Sequence, residues 1–146
     1  MATSTLTTTL TGDVYLDEPW LSIRWDSVHR YVHSEWKAFA TSVEFRAGLM
    51  KGLQAIRENH ALGYLSDTRK IKVIVRKDLI WAHETWGRLA TAAGLKRLGL
   101  VRAQAGLGKM TVDEIVALVD DDALLVRAFD SLDAALTWVS GAQVEA

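Results

Sequence analysis

The chain contains no cysteine, a single proline, and no apolar run approaching the ~20 residues that a membrane-crossing helix requires. Absent cysteine excludes disulfides, thiolate metal sites, iron–sulfur clusters and cysteine nucleophiles, and it suits a reducing compartment. Scarce proline, together with 49% hydrophobic residues and balanced charge, excludes disorder of the chain as a whole. No basic segment followed by an apolar stretch opens the sequence, so a secretory signal is not expected and a cytoplasmic location is. Charge of one sign is lacking too. The 17 Lys plus Arg stand against 18 Asp plus Glu, a formal net charge of -1, which supplies no broad cationic field for nucleic acid or an anionic membrane and leaves only local patches.

What is present is 146 residues, one domain at ~150 residues per domain. Residues 1–12 form a tail biased to threonine (Thr3, Thr5, Thr7, Thr8, Thr9, Thr11), residues 13–141 the domain, and 142–146 a short C-terminal tail. Threonine's strand preference leaves a swapped or edge strand open for the first of these.

Leu21, Ile23 and Trp25 alternate with Ser22 and Arg24, the period of a half-buried strand. After a turn at Asp26-Ser27, Val28 to Trp36 continues in extended style, so the pair predicts an antiparallel hairpin. Thr41 and Glu44 have the capping-box spacing, and Phe45, Leu49, Leu53 and Ile56, widened by Ala47 and Met50, predict an amphipathic helix ending near Asn59 or His60. Ala61 to Leu65 suits a buried strand, and Ile71 to Val75 an extended loop. A second helix is predicted from Asp78 as N-cap, with Leu79, His83, Trp86 and Ala90 inward and Gly94 as its stop. Leu95 to Val101 follows as a strand. Thr111 and Glu114 mark a third helix, Ala123 to Phe129 a last strand, and Asp130 caps a final helix ended by Gly141. Regular alternation of strand and helix after one hairpin predicts an α/β fold with a mixed sheet of about five strands and right-handed crossovers.

Motifs for phosphate or acyl chemistry are missing. Gly106-Leu107-Gly108-Lys109 lacks the remainder of a P-loop, and no Gly-x-Ser-x-Gly elbow occurs. His29 and His33, on one strand face, stand ~13 Å apart, too far to share a metal. His60 and His83 suit structural places, Asp120-Asp121-Asp122 a solvated loop rather than a cation site, and no cofactor or metal is expected. Arg69, Lys70, Lys72, Arg76 and Lys77 fall within nine positions, interleaved with Ile71, Val73, Ile74 and Val75. They can hold an anionic partner, or simply keep an extended segment soluble and guarded against edge pairing. Of the six tryptophans, Trp86 and Trp138 fit core stripes, whereas Trp81 projects away from its helix's apolar face as a contact residue or packs beneath the basic loop.

In order and spacing, residues 21–139 resemble bacterial SpoIIAA-like domains of the STAS/SEC14 superfamily. The likeness is carried by Trp36, by Phe45-Arg46-Ala47-Gly48-Leu49, by Leu65-Ser66-Asp67-Thr68-Arg69, by Trp81 and Trp86 with Gly94, by Phe129-Asp130-Ser131-Leu132 and by Ala135-Leu136-Thr137-Trp138-Val139. The resemblance implies strands laid side by side in chain order. In STAS relatives a serine or threonine after a central strand is phosphorylated to control a protein partner, and the matching neighbourhood here is Ser66-Asp67-Thr68-Arg69. Arg69 stands where those relatives carry a small residue, which favours a direct polar role for Asp67 and Arg69. The expected function is therefore a non-enzymatic, STAS-like interaction module that contacts a protein partner through Ser66, Asp67, Thr68, Arg69 and Trp81. The alternative is a SEC14-like carrier of a small apolar ligand. An enzyme would have to draw on Asp67, His83 and Glu84. Composition leaves a homodimer through an apolar helix face open.

Overall fold

The computed structural model describes residues 12–71, 74–103, 113, 116 and 123–141. Six strands, β1 Val14–Asp17, β2 Leu21–Asp26, β3 Tyr31–Trp36, β4 Gly63–Asp67, β5 Arg97–Val101 and β6 Leu125–Phe129, form one sheet in the order β1-β2-β3-β4-β5-β6. β2 is antiparallel to both of its neighbours, β1 and β3, and β3 to β6 run parallel. The α/β class, the hairpin and the strand–helix repeats agree with expectation. The sheet has six strands rather than five because Val14–Asp17 adds an edge strand, whose register is broken by a bulge between Val14 and Leu16. Four residues with such a break carry too little alternation to register as a strand in the sequence.

The hairpin turn is longer than the sequence pattern suggests. The Asp26 carboxylate accepts the backbone N–H groups of Val28 and His29 at 3.0 and 2.9 Å, and Arg30 takes φ 57°. This side-chain-closed turn overrides the apparent alternation from Val28, so β3 begins at Tyr31.

Helix α1, Ser42–Asn59, starts at the expected capping box: Glu44 N–H donates to Thr41 Oγ1 at 3.2 Å, and Thr41 N–H to Glu44 Oε1 at 2.9 Å. It ends at His60, whose φ of 51° makes it the left-handed cap. Phe45, Leu53 and Ile56 are buried, whereas Ala47 and Met50, expected to widen the apolar stripe, are exposed. Helix α2 is built from three consecutive segments, an α-helix over Arg76–Trp81, a π-helical turn over Ala82–Trp86 and an α-helix over Gly87–Ala92. Its N-cap is Val75 rather than Asp78. Asp78 is instead buried, accepting from Ser42 Oγ at 2.6 Å and Arg46 Nε at 2.9 Å, so it ties α2 to α1. Gly94, at φ 105°, makes the turn after α2 as expected. Helix α3, Leu132–Ser140, is capped by Ser131, which accepts from Ala134 N–H at 3.1 Å. Asp130, the expected cap, holds Arg102 Nε at 2.9 Å.

Because successive parallel strands progress in one direction, right-handed crossovers place α1 and α2 on the same sheet face. There Leu21, Ile23, Trp25, Val32, Trp36, Phe45, Leu53, Ile56, Tyr64 and Trp86 form the larger core. α3 covers the other face, where Tyr31, Leu65, Val101, Ala135 and Val139 form a second, smaller cluster. The expected Thr-rich and C-terminal tails, except Gly12, lie outside the described residues, as do Lys72, Gly106 to Lys109, Asp120 to Asp122 and most of the expected third helix. Of that helix Asp113 and Val116 are described, and both are helical.

Candidate functional site

Alternation along β4 divides the residues singled out from the sequence. Side chains two apart share a sheet face, so Tyr64 and Ser66 point toward α1 and α2 while Leu65 and Asp67 point toward the face carrying α3. Ser66 and Thr68 are buried. Thr68 Oγ1 donates to Val101 O at 2.7 Å, which locks the exit of β4 to the end of β5. Arg69 folds back on Asp67 through Nε and Nη2 at 2.9 and 2.7 Å. Burial pushes the Asp67 carboxyl up, but the hydrogen bonds and charge of Arg69 outweigh it and leave it below its ordinary value. Trp81 belongs to neither group. It is half-buried against the larger core, with the Arg46 guanidinium 5.1 Å above its ring, so it is neither a freely exposed contact nor a partner of Asp67 and Arg69. The five residues thus lie in three places: Ser66 and Thr68 on the helix side, Asp67 and Arg69 across the sheet, and Trp81 on α2.

Around Ser66 and Thr68 the sheet and the two helices form a cavity of about 270 Å³ that opens to solvent beside His83, Glu84 and Arg88. β4, β5 and β6 supply its floor through Tyr64, Ser66, Leu98, Leu100 and Val126, and Phe45, Leu49, Leu79 and Trp86 line it from the helices. Its aromatic walls are fixed by polar anchors. Trp86 Nε1 donates to Leu49 O at 2.6 Å and the ring meets Tyr64 edge-on at 5.4 Å. Trp36 Nε1 donates to Ser66 Oγ at 3.2 Å, and its ring stacks on Phe45 at 5.3 Å. Ser66 Oγ thus accepts a hydrogen bond from the indole and keeps its own hydroxyl hydrogen as a donor in a largely apolar lining.

The π-helical turn places an extra residue in one turn of α2. His83, expected on the core face by a regular 3.6-residue repeat, is exposed instead and borders the cavity with Glu84 and Arg88. Asp67 lies on the opposite sheet face, so the three residues considered for an enzyme are not brought together. Among the described residues no three of His, Asp and Glu gather as a metal site, and no helix is long and apolar enough to cross a membrane.

Across the sheet from the cavity lies a polar cluster. His33 is 6% exposed, and its Nδ1 shares a hydrogen bond of 2.8 Å with the Tyr31 hydroxyl. Burial, then the Arg24 cation, lowers the imidazole to about 4, against the opposing influence of Asp67 and Asp26. Burial, then the Asp26 charge, raises the Tyr31 hydroxyl to about 12. His29, expected on the same strand face as His33, sits in the hairpin turn with Nδ1 3.5 Å from Asp26 Oδ1. Of the basic run, Arg69 is paired with Asp67 while Lys70, Arg76 and Lys77 are exposed. Trp138, expected in the core, is half-buried between Arg97 and Arg127, whose guanidinium carbons lie 5.1 and 5.0 Å from its ring centre.

The cavity was not apparent in the sequence, because its walls have the same composition as a filled core. The pairing of Tyr31 with His33 was accessible, since residues two apart on a strand share a face. Comparison with protein-family models, with curated proteins and with solved structures gives no match.

Proposed function

We propose that the chain binds a small, uncharged, largely apolar molecule in the cavity between the sheet and helices α1 and α2. The observation that carries this reading is an aromatic-walled space of about 270 Å³ with the buried Ser66 hydroxyl in its lining. A cavity of ~150 Å³ lined by apolar side chains holds benzene, so this one suits an occupant of roughly ten non-hydrogen atoms. The interior walls are apolar, so a charged group is favoured only at the margin beside His83, Glu84 and Arg88, where it keeps its hydration. An aryl or short acyl molecule carrying one carbonyl or ether oxygen fits these requirements.

This is the SEC14-like side of the resemblance. Burial of Ser66 and Thr68 weighs against the STAS-like phospho-switch, since a modifying enzyme has no access to either hydroxyl and Thr68 Oγ1 is already bonded to Val101 O. The separation of Trp81 from Asp67 and Arg69 likewise weighs against a single docking rim formed by the five residues.

Acetophenone and ethylbenzene form a suitable pair of probes, alike in shape and differing by one carbonyl oxygen. Titration followed by the fluorescence of the wall tryptophans is expected to saturate with both, acetophenone binding about fivefold more tightly through one hydrogen bond to Ser66. Leu100→Trp, which fills the space, abolishes both signals while the far-ultraviolet circular dichroism is unchanged. Non-saturable responses from the wild type, together with no retained small molecule in native mass spectrometry, would refute the reading.

A further inference from the structure

The carboxyl ends of β3 and β4 meet at one rim of the sheet, because the two strands are parallel. The segments that leave them carry apolar side chains into solvent. Phe39 is 72% exposed, Val43, in the first turn of α1, 80%, and Val75, before α2, 50%. Between Phe39 and Val75 lies a hollow of about 60 Å³ floored by Ala40, Phe45, Ile71 and Ile74. At ~30 Å³ per water molecule it holds about two, so it is a surface depression rather than a ligand pocket. Isolated exposed apolar residues are ordinary in soluble proteins, but Phe39 and Val75 at the margins of one depression form a patch.

The patch has a sign. Lys70 and Lys77, both exposed, flank the stretch from Ile71 to Val75 in the chain. Of the neighbouring carboxylates, Asp67 is paired with Arg69 and Asp78 with Arg46, whereas Glu44, bonded to the Thr41 backbone, keeps its charge. Lys70 and Lys77 together outweigh Glu44, so the rim carries an excess of positive charge in a chain whose formal net charge is -1. A second copy of the chain is a poor complement, because it would bring the same cations toward these.

We propose that this rim docks peripherally on an anionic lipid surface, with Phe39 and Val75 entering the headgroup–acyl boundary and Lys70 and Lys77 facing lipid phosphates. Shallow insertion of apolar side chains and attraction of clustered Lys and Arg to anionic lipid are the two contributions that hold a peripheral protein at such a surface. The inference is independent of the cavity: Phe45 and Ile74 border both hollows, but Phe39, Val75, Lys70 and Lys77 lie outside the cavity lining, and neither test depends on the other.

Flotation of the full chain with phosphatidylcholine vesicles, and with vesicles of phosphatidylcholine and phosphatidylglycerol in equal parts, tests it. The chain is expected to float with the anionic vesicles and not with the neutral ones, and to be released by salt. Lys70→Gln and Lys77→Gln each weaken the partition about fivefold, the effect of removing one interfacial cation. Phe39→Asp abolishes it with the thermal midpoint retained, since the side chain is exposed in the folded state. No flotation with anionic vesicles overturns the proposal, as does flotation indifferent to Phe39→Asp. Two further results also overturn it: a dimer in analytical ultracentrifugation that Phe39→Asp dissolves, or binding of soluble polyglutamate in preference to the vesicles.

Discussion

His33 makes the stability of the fold depend on pH over a defined window. The imidazole is lowered to about 4 from an ordinary value of 6.5, first by burial and then by the Arg24 cation. Above pH 6.5 it is neutral in both folded and unfolded chains and contributes no pH dependence. Between 6.5 and 4 the unfolded chain takes up a proton that the folded chain does not, so acidification favours unfolding. Below about 4 both forms are protonated and the loss is complete. A difference of about 2.5 in pKa, at 1.36 kcal/mol for each, amounts to about 3 kcal/mol. For a domain of this size that lowers the thermal midpoint by roughly 6–12 °C between pH 7 and pH 4. Asp67, whose carboxyl lies below its ordinary value, loses its own contribution at a lower pH, so the two effects separate. Urea unfolding from pH 4 to 7, on the wild type and on His33→Gln, measures the slope. The variant is expected to be less stable at pH 7 by about 1 kcal/mol, through its bond to Tyr31, and to have a flatter profile. Equal slopes in the two proteins, or a His33 imidazole titrating near 6.5 by nuclear magnetic resonance, would show that its burial does not act in this way.

Two substitutions test how the layers are joined. Gly63→Ala places a Cβ on the Val139 carbonyl, which belongs to backbone rather than to a flexible side chain. α3 must move away from β4, and calorimetry is expected to show a midpoint lower by roughly 3–9 °C for a cost of about 1–3 kcal/mol; an unchanged midpoint would mean that the helix rests more loosely on the strand. Asp78→Asn keeps the side chain's shape and removes the charge that faces Arg46, so denaturant unfolding is expected to show a loss of about 1–2 kcal/mol, and Arg46→Gln added to it little more.

Elements with local chemical punctuation were legible in the sequence. Thr41 and Glu44 satisfy each other's backbone amides without help from distant residues, Gly94 supplies a positive φ that few other residues adopt, and Leu21, Ile23 and Trp25 alternate over a core whose face they define. The misses share a different cause. Asp78 resembles a helix cap in its local sequence, but Ser42 and Arg46, more than thirty positions away, draw it into an interhelical bond. Val28 continues the pattern of β3, but Asp26 closes a turn over it. Of the candidate site, Ser66 and Thr68 were visible as polar residues at the end of a strand. Their separation from Asp67 followed from strand alternation once the strand's true extent, Gly63–Asp67, was known.

The wide turn at Ala82–Trp86 gives α2 a property that no substitution supplies. A π-turn amounts to one surplus residue in a regular helix, so excising one residue from this stretch restores ordinary winding. Everything beyond the cut then slides by about 1.5 Å and swings through ~100° relative to the segment before it. Trp86 would rotate off Tyr64 as His83 turned toward the interior. Which side chains α2 turns toward the sheet is thus set by the number of its residues as well as by their identity.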